Sequence, residues 1–445
     1  MTLPDPRSAL ERMFRAGVAA ADPAVALRRE IGVRDDGALV LAGEVLPRGS
    51  PLHVLAVGKA AARMAGALDG IAGARVSAGL LIAKPGRATA PAGWCALEAA
   101  HPVPDPSSQR AGRRALRFAA ETPRDGLLLV LVSGGASSLL ACPLAGVSLD
   151  DLSATTRALL DAGAAIDELN TVRKHLAAVA GGRLALAAGG ARVCVLAVSD
   201  VVGDRIDLIG SGPCAADSSR CADALAVLDR CVPADRVPAA VRAHLVAGAR
   251  AEAAGTRAAG AAAAAGVRHV LLAGNATALT GAREAAQGLG FAPMVVTGEL
   301  AGEARRAGAR LAAVACALRS PHPVCLLAGG ETTVRVRGGG RGGRSQELAL
   351  AAAIALAGEA LVCLLAAGTD GEDGPTDAAG AFADGATLAR SRALSLDAGA
   401  ALDANDSHTF FEREGGLLRT GPTGTNVRDL VLVSVLPRAG RGRLR

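Results

Sequence analysis

Six times along this 445-residue chain, a short apolar run ends in small or polar residues and a helix-like stretch follows. The junctions are HVLAVGKAA (53–61), LLLVLVSGGASS (127–138), VCVLAVSDVVGD (193–204), HVLLAGNATAL (269–279), VCLLAGGETT (324–333) and LVCLLAAGTDGEDG (361–374). The runs are continuous, not alternating, which suits strands buried on both faces and so a parallel sheet covered by helices. The pattern predicts an α/β chain of three-layer α/β/α domains with mostly parallel sheets. Ligands of open α/β sheets bind beyond the carboxyl ends of the strands, where most of this chain's Gly, Ser, Thr and Asp clusters fall.

The length predicts two or three domains. The Ala/Gly-rich stretch between about 240 and 266 is the best candidate boundary, giving a Rossmann-like α/β domain over 1–245 and a second α/β domain over 246–445. Phe, Trp and Tyr together make up only 2% of the chain, so the core must be built from Ala, Val and Leu. Of 48 basic residues only Lys59, Lys84 and Lys174 are lysines, and the net charge is +6. The arginines are spread along the chain and offset by 42 acidic residues, which argues against a nucleic-acid surface. Nine cysteines with no CxxC pair read as free thiols of a reducing cytosol. The N-terminus has no apolar signal region. The uncharged stretch 126–149 is long enough to span a membrane, but SGGASS and Pro143 interrupt it. A strand, a small-residue loop and a helix fit it better.

Lys59 follows a predicted strand directly, and a Gly-Lys pair there offers backbone N–H groups and an ammonium to an anion. No Walker A loop is present. In a chain that has replaced nearly every lysine by arginine, a retained lysine points to a need for a compact charge; the same argument applies more weakly to Lys174 and Lys84. The loop Ser133-Gly134-Gly135-Ala136-Ser137-Ser138 has the form of an anion cradle, although a plain tight turn would look alike. Asp200 and Asp204 stand at a strand end, where a carboxylate takes a proton, holds magnesium or merely caps a helix. In GGETTVRVRGGGRGGRSQELAL (329–350), a glycine-rich loop precedes Arg344, placed to meet phosphate or carboxylate. GTDGEDGPTD (368–377) lacks the terminal Glu of an EF-hand and reads as an ion loop or a Gly-Asp turn. Gly-rich loops, one special lysine, a loop-borne arginine and strand-end carboxylates are the parts phosphoryl transfer requires. They point to an anionic, phosphorylated ligand in an interdomain cleft.

The ordered set VGKAA, HPVPDPSS (101–108), LVSGGASSLL, LNTVRKHL (169–176), SDVVGD, GSGP, GGETTV, GGRSQELAL, AAGTDGEDGPTDAAGA, NDSHTFF (405–411) and TGPTGTNVRDL resembles the glycerate 2-kinase family, once widely labelled hydroxypyruvate reductase. The resemblance runs from about residue 8 to 436. It implies two α/β domains with the site in their cleft, and ATP-dependent, Mg2+-assisted phosphorylation of D-glycerate at its 2-hydroxyl in the cytoplasm. It implies Lys59, Arg344 and Asp200 as catalytic residues, the two cations converging on the terminal phosphates. Ser133, Gly134, Gly135, Ser137, Ser138, Arg173, Asp204, Gly212, Glu331, Thr332 and Asn426 are then expected to bind substrate or nucleotide. Asp370 and Asp377 are assigned to the metal, with the division between metal and base left open. No nucleic-acid or membrane partner is expected, and the oligomeric state stays open, a homodimer included. The chain departs from the family at Ala177, at Ala180-Gly181-Gly182 where Lys-Gly-Gly is usual, and at Arg428 where Asn is usual. Two other readings are a nicotinamide-dependent reductase, against which stands the lack of GxGxxG after any predicted strand, and a non-catalytic sugar-phosphate sensor.

Overall fold

The computed structural model describes residues 4–254 and 266–438. These fall into two compact units: one is Pro23–Leu272, and the other joins the N-terminal segment up to Asp22 to the chain from Ala273 onward. The division differs from the expected one near residue 245. The first part of the Ala/Gly-rich stretch is a helix, Ala239–Ala253, whose Val241 and Leu245 pack with Cys221, Val227 and Leu228 of the first unit. Residues 255–265 of that stretch lie outside the described residues.

In the first unit a small antiparallel meander, β1 (Ile31–Val33), β2 (Leu39–Leu41) and β3 (Glu44–Leu46), precedes a six-stranded sheet. That sheet holds β4 (Leu52–Val57), β5 (Ala78–Ala83), β6 (Cys95–Glu98), β7 (Leu127–Val132), β8 (Arg192–Val198) and β9 (Arg268–Ala273), in the order β6-β5-β4-β7-β8-β9. The pairings β4–β5, β5–β6, β4–β7 and β7–β8 are parallel. All six residues of β7 are buried, as a continuous apolar run demands. Each fully buried Leu or Val there contributes about 1.5–3 kcal/mol. The 126–149 stretch is thus a core strand, a loop and the short helix Ala136–Leu139. Among the described residues no helix is long and apolar enough to cross a membrane. By contrast β9, read from its apolar run as buried, is a half-exposed edge strand with Leu271 40% exposed.

The second unit is built on β10 (Ala292–Leu300), β11 (Val324–Gly330), β12 (Val362–Gly368), β13 (Gly380–Asp384), β14 (Leu417–Leu418) and β15 (Asp429–Val435). Their order is β10-β11-β15-β12-β13-β14. Here the expectation of a mostly parallel sheet needs correction. Only the β10–β11 pairing is parallel, because the last strand, β15, inserts antiparallel between β11 and β12, and β13 folds back on β12. The insertion has a consequence for the site: Asp429, the first residue of β15, lies in register with Gly330 and Gly368, the last residues of its two neighbours.

Candidate active site

The order of the first sheet reverses between β4 and β7: β5 and β6 lie to one side, β8 and β9 to the other. A doubly wound sheet opens its ligand crevice at such a reversal, and the loops there are Gly58-Lys59 and Ser133–Ser138. They are laced together. The Lys59 N–H donates to the Gly134 carbonyl at 2.9 Å, the Ala60 N–H to Ser133 Oγ at 3.0 Å, and the Ser133 N–H to the Val57 carbonyl at 3.0 Å. Gly58 has φ +120°, and a Cβ there would lie 2.3 Å from Ser133 Oγ, so only glycine fits. At Gly135, φ +86°, a Cβ would lie 3.6 Å from Lys59 Cγ and 2.9 Å from the His101 ring, so the lysine stem and His101 flank the same glycine.

A small pocket nearby is lined by Ser137, Ser138, Arg173, Ala180, Gly210 and Ser211 among others. Ser137 Oγ and Ser211 Oγ lie 2.7 Å apart, and Ser211 Oγ donates to Asn170 Oδ1 at 2.8 Å. Burial lowers the Arg173 guanidinium to about 10. Ala180, at the position where the family usually has lysine, is buried in the wall of this pocket, leaving Arg173 as its cationic wall residue. Gly212, φ +58°, accepts from the Gly182 N–H at 2.9 Å, so the GSGP loop is tied to residues 181–182.

Asp200 is half-buried just beyond β8. Asp204 has φ +51° and a buried Oδ1 without a hydrogen-bond partner. Lys174 departs from the functional expectation. It is buried, and its Nζ donates to Asp207 at 3.1 Å and Asp217 at 3.3 Å, a structural ion-pair cluster.

In the second unit the inserted β15 gathers the other predicted residues. Glu331 and Thr332 follow β11, Asp370 follows β12, Asn426 precedes β15, and Arg344 opens the helix Arg344–Ala355. Arg344 does not point at open solvent. Its Nε and Nη2 clasp Asp429 Oδ2 and Oδ1 at 2.6 and 2.9 Å, and Nη1 donates to Glu331. Burial would lower the Arg344 pKa, but the Asp429 and Glu331 carboxylates outweigh it and hold the guanidinium charged. Asp373 sits at the start of the same helix and accepts from the Ser345 and Gln346 N–H groups at 3.0 and 2.8 Å and from Gln346 Nε2 at 3.0 Å. Burial, with Asp429 adding to it, pushes its carboxyl up to about 7. A Cβ on Gly343 would lie 2.3 Å from Asp373 Cγ, which explains a glycine before Arg344. The Thr369 hydroxyl joins this network, donating to the Arg428 carbonyl at 2.6 Å and accepting from the Val427 N–H at 2.9 Å.

Asp370 and Asp377 part company. Asp370 Oδ1 accepts from the Glu372 N–H at 3.2 Å, and the Gly368 Cβ position is 3.2 Å from Asp370 Oδ1 and 3.5 Å from Asp429 Oδ1. Asp377 is exposed, bonded to His408 Nε2 at 2.9 Å and Arg419 Nε at 2.8 Å, and pulled down to about 2 by Arg419 and His408. It lies in a surface cluster in which ligand atoms of Asp377, His408 and Glu412 come within 4.8 Å of one another. The sequence reading passed over Asp429, although it stands at the end of the quoted TGPTGTNVRD motif. It also passed over His101, which opens HPVPDPSS. A larger hollow bordered by Cys316, Arg319, Glu359 and Arg438 adjoins the start of β12 and the end of β15, the opposite end of this sheet, and contains none of the predicted residues.

A glycine-laced lysine at a sheet reversal and a carboxylate-clasped arginine in a mixed α/β unit are parts that phosphoryl transfer can use. The DUF4147 model, described as a domain of unknown function, matches residues 9–246, and the MOFRL family model matches residues 324–429. The chain is 42% identical over 391 residues to the D-glycerate 2-kinase of Thermotoga maritima, covering 85% of this chain and 89% of that one. It is 38% identical over 437 residues to the glycerate 2-kinase of Pyrococcus horikoshii, covering 97% of each. The crystal structure of the Thermotoga maritima glycerate kinase superposes with a TM-score of 0.80 at 37% identity, over 97% of this chain and 100% of that one. The chain belongs to the glycerate 2-kinase family.

Proposed function

We propose that the chain transfers the γ-phosphoryl group of ATP to the 2-hydroxyl of D-glycerate, giving 2-phosphoglycerate and ADP. The observation that carries this reading is the Lys59 loop laced to Ser133–Ser138 at the reversal between β4 and β7. Phosphoryl transfer needs positioned charge more than covalent chemistry, and an ammonium beside glycine-rich backbone supplies it. Arg173, with Ser137 and Ser211, suits the carboxylate of glycerate. Asp200 is assigned as the group that takes the proton of the acceptor hydroxyl. The carboxylate oxygens of Asp370 and Glu331 are hard donors that fit magnesium, which is commonly bound by one or two carboxylates plus substrate phosphates. Magnesium would neutralise charge on the transferred group. Arg344 is assigned to orient Asp429 and Glu331 beside that donor set. All nine cysteines are free thiols, which supports a cytoplasmic location.

A nicotinamide reductase would use the same strand order. Its first turn, however, needs GxGxxG, and here Lys59 and Ala60 follow Gly58. A phosphorus NMR spectrum of enzyme, ATP, magnesium and D-glycerate decides. A 2-phosphate ester is expected, a 3-phosphate would overturn the regiochemistry, and no new ester would overturn the reading.

A further inference from the structure

Away from the residues assigned to phosphoryl transfer, three helices of the first unit bring together side chains that nothing in that reaction uses. His175 follows the helix Ile166–Lys174, Cys221 opens the helix Cys221–Cys231, and Glu252 lies in the last turn of Ala239–Ala253. The His175 ring nitrogen, the Cys221 sulfur and a Glu252 carboxylate oxygen lie within 4.8 Å of one another. We propose that His175, Cys221 and Glu252 form a binding site for a transition-metal dication of the zinc type that ties these helices together.

The geometry of the pair at its centre supports the assignment. Cys221 Sγ is 3.5 Å from His175 Nδ1. Tetrahedral zinc, with bonds of about 2.3 Å to sulfur and about 2.0–2.1 Å to nitrogen, sets its sulfur and nitrogen ligands about 3.5 Å apart. The far ring nitrogen, Nε2, faces Ser219 Oγ at 3.2 Å and Asp217 Oδ2 at 3.8 Å. A metal-bound histidine commonly turns its second nitrogen to such a partner. With the proton on Nε2, the Nδ1 lone pair is directed at the thiol side. Both oxygens of Glu252 accept from the Cys221 N–H, at 3.2 and 3.0 Å, which fixes the carboxylate beside the sulfur. Gly248 completes the seat: a Cβ there would lie 2.4 Å from Cys221 Sγ.

The surrounding charge allows a dication. Lys174 is paired with Asp207 and Asp217, Arg205 with Asp207, and Arg183 donates to the Lys174 and Ala180 carbonyls. Lys174 and Arg205 thus offset Asp207 and Asp217, and the Glu252 carboxylate with the thiolate formed on binding are the charges the metal meets. Metal binding displaces the Cys221 thiol proton to solvent. A thiolate-imidazole set selects zinc or cobalt over magnesium, which separates this site from the nucleotide's metal. The inference does not depend on the kinase reading.

The test uses the full chain, stripped with a chelator and titrated with Co2+ in excess Mg2+. A near-ultraviolet thiolate-to-cobalt charge-transfer band is expected with tetrahedral visible bands. Cys95→Ala, at an exposed cysteine, should keep the band. Cys221→Ala should abolish it, and Glu252→Gln should weaken Co2+ binding about tenfold or more. Zn2+ should raise the melting temperature of the wild type and not of Cys221→Ala. If Cys221→Ala does not fold, Cys221→Ser takes its place with the same expected loss. No band in the wild type, or a band retained without the Cys221 thiol, overturns the proposal.

Discussion

The two regions that carry the predicted cations solve opposite problems. Around Lys59 the protein removes bulk. Gly58 and Gly135 clear the backbone, Ser133 stitches two loops, and Lys59 follows a strand where the sheet order reverses. Around Arg344 the protein adds charge, since Asp429 and Glu331 grip the guanidinium and Asp373 anchors its helix. The comparison teaches that cations equally conspicuous in sequence can stand in opposite surroundings, one among glycines and hydroxyls and the other among its own carboxylates. Side-chain chemistry alone does not separate the two settings.

Replacing each cation in turn is the strongest challenge to that contrast. Lys59→Met should lower kcat by about 10²–10³ and cost less stability than the loss of Arg344. Arg344→Met should cost about 3 kcal/mol of stability, because Asp429, only 7% exposed, is left without its counter-charge. Steady-state rates and denaturant melts of both variants check this; equal losses of stability would erase the distinction. Next in size, Gly58→Ala should destabilise by about 3 kcal/mol and abolish most activity, since its Cβ meets Ser133 and its φ is strained. A Gly58→Ala protein that melts like the wild type would mean the two loops are not held together as described.

A pH series sharpens the Arg344 side. The Asp373 carboxyl titrates at about 7 in the folded chain, against 3.8 ordinarily. Between those values the folded state holds a proton that the unfolded state has lost. Its contribution to stability is therefore present below pH 3.8 and falls away as pH rises towards 7. Denaturant melts across that range should show wild-type stability falling relative to Asp373→Asn, with no further relative change above it.

What could be read in the chain and what could not divide along a physical line. Apolar runs announce buried strands, so β4, β7, β8, β11 and β12 were legible, and so were the loops beyond them. A run does not record direction. The final strand LVLVSV was visible, but nothing local says that it inserts antiparallel between β11 and β12. That insertion is what delivers Asp429 to Arg344, 85 residues away in sequence, and the partnership was invisible for the same reason. Nor does the acid-rich loop of Asp377 announce its bonds to His408 and Arg419, 31 and 42 residues distant.

The helix Pro6–Ala20 belongs with residues beyond 273. Gly17 and Gly281 let it lie against the helix Asn275–Gly288, and Thr425 Oγ1 bonds the Ala21 carbonyl at 2.8 Å. The helix Pro6–Ala20 must therefore wait until residues beyond 273 are made before it finds its seat. The first unit can close during translation, but the second cannot be complete until β15 has been made. A fragment begun at residue 273 would emerge with an apolar face, lined by Ala278 and Ala282, that its own residues do not cover.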